Sequence, residues 1–157
     1  MAHVTLMAIC DGIAATFHGQ MVVLNAGVAA VPIIAQSYDE LTEGMHDTPT
    51  LQVYPQSGIT DYTTENDRMT FKGKVKGTEY EFLVMAFARP RSQVGEDMEA
   101  CVRLWDAVET ILEDITCDYF GIAEVGNIAW TFGPLFEVEY GGQVYRGFQL
   151  VITVRFF

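Results

Sequence analysis

The sequence predicts an α+β fold in which antiparallel β-hairpins form one or two sheets that two helices cover. Two segments, near residues 4–17 and 96–114, have apolar residues at helical spacing, and period-two alternation follows each of them. Strands joined by tight turns are antiparallel, so the order helix, extended segments, hairpin, long helix, hairpin indicates antiparallel sheets. With 157 residues and no linker, the chain is expected to form a single domain, residues 1–157.

The first half of the chain begins with a helix at residues 4–17, in which apolar residues recur at steps of three and four: Leu6, Ile9, Ile13 and Phe17. Residues 20–36 predict one or two extended segments, and Pro32 favours an edge position. Residues 37–49 are polar and acidic, which predicts a long loop. Alternation in residues 50–55 predicts a short strand that ends at its proline.

Alternation is clearest at residues 68–88, where it predicts a hairpin that turns at Lys76-Gly77. The register of a two-residue turn places four pairs opposite one another: Lys74 with Glu79, Lys72 with Glu81, Phe71 with Phe82, and Met69 with Val84. Opposite charges then meet on one face and apolar groups on the other. The second strand is apolar on both faces from Phe82 to Ala88, which predicts an inner strand.

A long helix is predicted at Glu96–Asp114. Its apolar face is wide and consists of Met98, Cys101, Val102, Leu104, Trp105, Val108, Ile111 and Leu112. This width is typical of a helix that packs on a sheet, with or without a second neighbour. Adjacent acids such as Glu96-Asp97 and Glu113-Asp114 are explained by capping and solvation at the helix ends rather than by acid–base catalysis.

A second hairpin is predicted at the end of the sequence, from a strand at residues 122–140 and another at 143–157. The first strand has breaks at Gly126 and Gly133-Pro134, and Gly141-Gly142 forms the turn. Two registers remain open. A two-residue loop pairs Glu137 with Arg146, whereas a three-residue loop pairs Phe136 with Phe148. In both registers Arg146 interrupts an apolar face that comprises Val144, Phe148, Leu150, Ile152 and Val154.

The net charge of −12 disfavours a protein that grips nucleic acid, because acidic surfaces repel phosphates. The charge is uneven: no Lys or Arg precedes Arg68. The same stretch holds eight acids: Asp11, Asp39, Glu40, Glu43, Asp47, Asp61, Glu65 and Asp67. This pattern fits either a solvated face or a surface that faces DNA without holding it.

Patterns of catalytic and cofactor sites are missing from the sequence. It has no phosphate loop, dinucleotide fingerprint or calcium loop, and its histidines, His3, His18 and His46, lack metal-ligand spacing. Cys10, Cys101 and Cys117 are also too widely spaced for a metal site, and the first two are expected to be buried thiols of a protein made in a reducing compartment. We therefore expect no enzyme activity, no cofactor and no metal. We also expect no signal peptide and no membrane partner.

Four features in order carry a resemblance to a known family. They are the triplet Val53-Tyr54-Pro55, the segment Arg68–Ala88, the helix Glu96–Asp114 and the closing strand Tyr145–Val154, all preceded by an N-terminal helix. This layout, over most of the chain, resembles the tail-terminator (tail-completion) proteins of long-tailed bacteriophages. The acidic loop 37–49 and the aromatic pair Phe156-Phe157 have no counterpart in the family layout.

The resemblance implies a tail-terminator-like structural protein of the virion, made in the host cytoplasm. Six copies would form a ring that caps the tail tube, stops its growth and joins it to the head. Its partners would be itself, the tail-tube protein and a head-completion or connector protein, while DNA passes through the lumen without specific binding. Candidate lumen or rim acids are Asp39, Glu40, Glu43 and Asp47, and candidate subunit contacts are Arg89, Arg91, Phe156 and Phe157.

Two other classes of function remain open. One is a different neck or tail component, such as a head-completion or tail-tube protein, for which an open-ended tube rather than a self-limiting ring would be expected. The other is a small binding module or an enzyme whose site is assembled by the fold, for which a monomer with a deep pocket would be expected.

The uneven charge generates a first prediction. Replacing Asp39, Glu40 and Glu43 by their amides removes negative charge from the proposed lumen, so we expect slower DNA passage through assembled tails and unchanged ring formation. DNA release and electron microscopy of the rings measure the two effects separately. Loss of the ring itself would contradict the assignment of these acids to the lumen.

Overall fold

A computed structural model describes residues 4–20, 22–24, 34–37, 49–62, 69–70, 73–74, 77–91, 95–114, 119–122, 125–140 and 142–156. Its two long helices are α1 (Leu6–Gly19) and α2 (Glu96–Asp114), residues 22–24 are also helical, and a 3-10 turn lies at Tyr119–Gly121. Its strands are β1 (Ile34–Ser37), β2 (Thr50–Tyr62), β3 (Met69–Thr70), β4 (Gly73–Lys74), β5 (Gly77–Pro90), β6 (Val125–Tyr140) and β7 (Gln143–Phe156). The predicted α+β class is confirmed.

One five-stranded sheet has the order β1-β2-β5-β7-β6. The four strands β2-β5-β7-β6 are antiparallel to one another in this order, as expected for a chain that turns back on itself. The fifth, β1, lies parallel to β2 at the outer edge, so the extended segment is at an edge but its direction was not predicted. Strands β3 and β4 form a separate pair.

The hairpin predicted at residues 68–88 is wrong. Met69 pairs with Lys74 instead of Val84. Strands β2 and β7 occupy the two sides of β5, so Glu79 lies opposite Ile59 and Arg155 rather than the predicted Lys74. Alternation shows which residues share a face of a strand, but it does not identify the partner strand. The apolar pattern on both faces did correctly indicate that β5 is an inner strand.

Strand β2 does not end at Pro55 as predicted, but continues through a β-bulge to Tyr62. Among the described residues, β1 pairs only with Thr50–Val53, so no described strand lies on the outer side of β2 at Pro55. A proline is tolerated there because its missing N–H leaves no hydrogen bond of the sheet unmade.

Both helices pack on the same face of the sheet and form one core with it. Their buried apolar residues are Ile9, Cys10, Ile13 and Phe17 of α1, and Cys101, Leu104, Val108, Ile111 and Leu112 of α2. The predicted burial of Cys10 and Cys101 is confirmed, whereas Cys117 lies outside the described residues. Helix α1 starts where the Thr5 hydroxyl accepts a hydrogen bond from the Ala8 N–H, at 3.2 Å.

Helix α1 also packs closely against the turn that follows α2. A Cβ atom added to Gly12 would lie 3.2 Å from the carbonyl oxygen of Phe120 and 3.4 Å from the Ile122 side chain. A glycine in a helix interior lowers helix propensity, and here it makes room for this approach. The contact joins the beginning of the chain to a segment about a hundred residues later.

The closing hairpin has the two-residue turn, and Glu137 lies opposite Arg146. The breaks predicted at Gly126 and Gly133-Pro134 are β-bulges within the single 16-residue strand β6. Bulges let a strand keep its pairing on both sides of residues that fit the ladder poorly. On β7, the side chains of Phe148, Leu150, Ile152 and Val154 are buried against the helices, as predicted.

Gly147 generates a test of the sheet packing. A Cβ atom added there would lie 1.9 Å from the Ala86 carbonyl oxygen, which is backbone of the neighbouring strand and has no room to move. We expect Gly147→Ala to lower the free energy of unfolding by about 3 kcal/mol in urea titrations. Gly19→Ala is the matched control, because its Cβ meets nothing within 4 Å, and it should change stability by less than about 1 kcal/mol.

Candidate assembly surface

The predicted lumen acids Asp39, Glu40, Glu43 and Asp47 lie outside the described residues, as does Phe157, and their roles stay predictions. Phe156 is described and lies half-buried at the end of β7. Its ring meets the Tyr80 ring edge-on, with centroids 6.1 Å apart. This aromatic contact attaches the end of β7 to β5 and leaves part of Phe156 at the surface.

Arg89 and Arg91, the other predicted subunit contacts, form ion pairs within the chain. Arg89 lies 3.5 Å from a carboxylate oxygen of Glu96, and Arg91 lies 2.9 Å from one of Glu137. Both arginines remain about half exposed, so each pair contributes little to stability. Their role between subunits stays a prediction.

A buried ion pair lies beside them, between Asp97 of α2 and Arg146 of β7. The Arg146 Nε atom donates to an Asp97 carboxylate oxygen at 2.5 Å, and its terminal nitrogen lies 3.0 Å from Glu137. The Asp97 side chain is only 2% exposed, which corrects the prediction that solvation explains this acid. Arg146 needs a counter-charge because it interrupts a buried apolar face. The hydrogen bond to Asp97 raises the pKa of Arg146 and keeps it charged.

An open cleft of about 710 Å³ lies over this ion pair. Its lining residues are Arg91, Gly95, Asp97, Met98, Gly142, Gln143, Val144 and Arg146. The nearby thiol of Cys101 is buried, and this burial raises its pKa to about 11, so it stays protonated at neutral pH and is a poor nucleophile. We interpret the ion pair of Asp97 and Arg146, with Glu137 beside it, as a clamp that holds the first turn of α2 against β7.

Two absences apply to the described part of the chain. It holds no group of three or more His, Cys, Asp or Glu side chains placed to bind a metal ion. None of its helices combines the length and the apolar character needed to cross a membrane.

Helix α2 packs on β5 and β7 and reaches the outer strand β6 through one side chain. The Trp105 ring stacks on the Phe132 ring, with centroids 4.3 Å apart and planes 15° apart, and also contacts Phe148. Together with the clamp at Asp97, this stacking fixes two points of α2, one against β7 and one against Phe132 of β6.

Part of the predicted apolar face of α2 stays at the surface. Val102 is 46% exposed and Met98 is 37% exposed, whereas the residues nearer the sheet are buried. Leu135 of β6, which lies between Phe132 and Glu137 in the strand and opposite Phe148, is 39% exposed. We call Met98, Val102 and Leu135 the apolar strip. An exposed apolar stretch beside a sheet edge is typical of an interaction surface.

The outer edge of β6 has no partner strand in the part of the chain that the structure describes. There β6 pairs only with β7, so the N–H and C=O groups on its other side meet no described strand. Soluble proteins usually protect such edges with charged residues or prolines, but residues 127–132 contain neither. The sequence predicted this strand and not its outer position. An uncharged stretch in a chain of net charge −12 was the available signal.

The clamp generates a matched pair of predictions. We expect Arg146→Met to lower the free energy of unfolding by ~3–5 kcal/mol, because it leaves the buried Asp97 carboxylate without its guanidinium partner. Arg91→Met removes the same charge from a half-exposed pair and should cost less than ~1 kcal/mol. Urea denaturation monitored by Trp fluorescence measures both. Equal losses for the two variants would contradict the clamp.

The comparisons with known proteins do not assign a family. No protein-family model matches the chain, and no curated protein matches it significantly. The features of the molecule that bear on its function are the clamp, the apolar strip and the outer edge of β6.

Proposed function

We propose that this chain is a structural subunit that assembles with copies of itself, and that it acts as a tail terminator of a long-tailed bacteriophage. In this role it forms a ring that caps the tail tube, stops its growth and joins it to the head. The observation that carries the proposal is the outer edge of β6, which has no described partner strand and no charge at residues 127–132, together with the exposed apolar strip.

The dimensions of this surface are compatible with subunit contact. A strand rises about 3.3 Å per residue, so the uncharged stretch of β6 at residues 127–132 is roughly 20 Å long. A stable interface buries on the order of 800 Å² on each partner, so this edge supplies part of the contact and flanking side chains supply the rest. Burial of the apolar strip adds a favourable contribution, since apolar surface contributes about 25 cal/mol for each Å² removed from water.

The charge supports the proposed place in the virion. A subunit with a net charge of −12 offers DNA phosphates few cationic contacts, so DNA slides past without being held. The basic residues described near the clamp are already paired with acids, as in Arg91 with Glu137 and Arg146 with Asp97. This distribution supports a conduit rather than a protein that anchors nucleic acid.

A second candidate function follows from the same edge. An open strand edge supports tubes as well as rings, because a contact between two different surfaces closes only if the rotation per subunit divides a full turn. A tail-tube or other neck protein is therefore the alternative.

Assembly of the purified full chain tests the proposal. We expect light scattering and negative-stain microscopy to show particles of one discrete size, alone or after mixing with purified tail tubes, and to find them only at tube ends. Tubes grown in their presence should stop elongating. Filaments of the chain would support the tube alternative, and a chain that stays monomeric with tubes present would contradict both.

The apolar strip generates a specific prediction. Val102→Gln replaces an exposed apolar side chain of the strip by a polar one, so we expect loss of discrete assemblies with thermal stability nearly unchanged. Asp106→Gln is the control, because Asp106 is exposed on the same helix outside the strip. Light scattering measures assembly, and circular dichroism measures stability. Normal assembly of Val102→Gln would remove the strip from the interface.

A further inference from the structure

We infer that residues 127–132 of β6 pair with β1 of a neighbouring copy, so that the sheets of adjacent subunits join edge to edge. The inference rests on the proposed ring and names the contact that builds it. The occupant of the open edge is thus a second copy of this chain.

Ring closure determines which two edges meet. A head-to-tail ring joins two different surfaces of each subunit, whereas contact between identical surfaces gives only a two-fold dimer. In the described part of the chain the five-stranded sheet ends at β6 on one side and, on the other, at β1 and at the part of β2 beyond Val53 that β1 does not cover. A second β6 is thereby excluded as the partner of β6. Of the two remaining edges β1 is favoured, because the uncovered part of β2 contains Pro55, which has no N–H to donate, and the charged Asp61.

Strand direction favours this pairing. Because β1 is parallel to β2, and each later neighbour is antiparallel, β1 and β7 run in one direction and β6 runs in the other. A neighbouring copy placed in the same orientation therefore presents β1 antiparallel to β6. Antiparallel ladders are slightly more stable per residue than parallel ones.

The charge of the two edges also favours a second copy. Two chains of net charge −12 repel each other, so they are expected to meet where charge is missing. Neither Ile34–Ser37 nor residues 127–132 contain a charged residue. A basic foreign strand would find no acid in this part of β6 to attract it.

The lengths of the two edges are compatible. The bulge between Phe132 and Leu135 interrupts β6, and Pro134 cannot donate a backbone hydrogen bond. Beyond it, Glu137 and Glu139 reintroduce negative charge. The regular uncharged edge thus has six residues, and the four residues of β1 fit within it.

Disulfide cross-linking of the full chain tests the joint. Antiparallel pairing can place the four residues of β1 within residues 127–132 in three registers, and one double variant tests each: Thr131→Cys with Ala35→Cys, Ala129→Cys with Gln36→Cys, and Ala129→Cys with Ala35→Cys. All carry Cys117→Ser, while Cys10 and Cys101 are buried and stay in place. In each register one of the three combinations places the two thiols directly opposite each other, within reach of a disulfide. The matched control combines Thr110→Cys, on the exposed surface of α2, with each β1 position.

We expect mild oxidation of assemblies formed with tail tubes to convert the monomer band of one double variant into a ladder that ends at the ring size. The single variants and the controls should remain monomeric on non-reducing gels. Dimers from Thr131→Cys alone would instead show β6 paired with β6 and would overturn the inference. Rings seen by microscopy without any cross-link would overturn the edge joint and keep the proposed ring, whereas no assembly at all would count against both.

Discussion

The position of α2 depends on the buried ion pair between Asp97 and Arg146. The pair fixes the first turn of the helix over β7, and in the middle of the helix the Trp105 ring reaches out to stack on Phe132 of β6. With these two points held, one side of the wide apolar face is buried and the other side remains exposed at Val102. A buried charged pair contributes less to stability than to specificity of arrangement, and here we interpret it as setting the helix direction that leaves the apolar strip beside the edge of β6.

Local pattern predicted the elements well and their partners poorly. The bounds of α2 and the two-residue turn with Glu137 opposite Arg146 follow from periodicity and turn chemistry, which are properties of neighbouring residues. The hairpin at 68–88 failed because strand partners are decided by the whole sheet, and β5 has two better partners in β2 and β7. The parallel direction of β1 has no local signal at all.

The candidate surface was predictable only in part. Arg146 was recognised as an interruption of an apolar face, and its pairing with Glu137 was one of two open registers. Asp97, in contrast, was explained by capping and solvation at the helix end, and its burial was not predicted. Burial of an acid in the first turn of a helix depends on how that helix meets the sheet, and sequence spacing does not contain this information. The exposure of part of the apolar face of α2 was not predicted either. Periodicity shows how wide an apolar helix face is, but it does not show which of its residues the sheet buries.

The close approach of Gly12 to Phe120 has a consequence for synthesis of the chain. Helix α1 has 14 residues, and an isolated helix of that length is marginal in water. One of its packing partners, the 3-10 turn at Tyr119–Gly121, is translated more than a hundred residues after α1 begins. Helix α1 is therefore synthesised long before its surroundings are complete, which makes its docking a late step of folding that depends on a segment more than a hundred residues away in the chain.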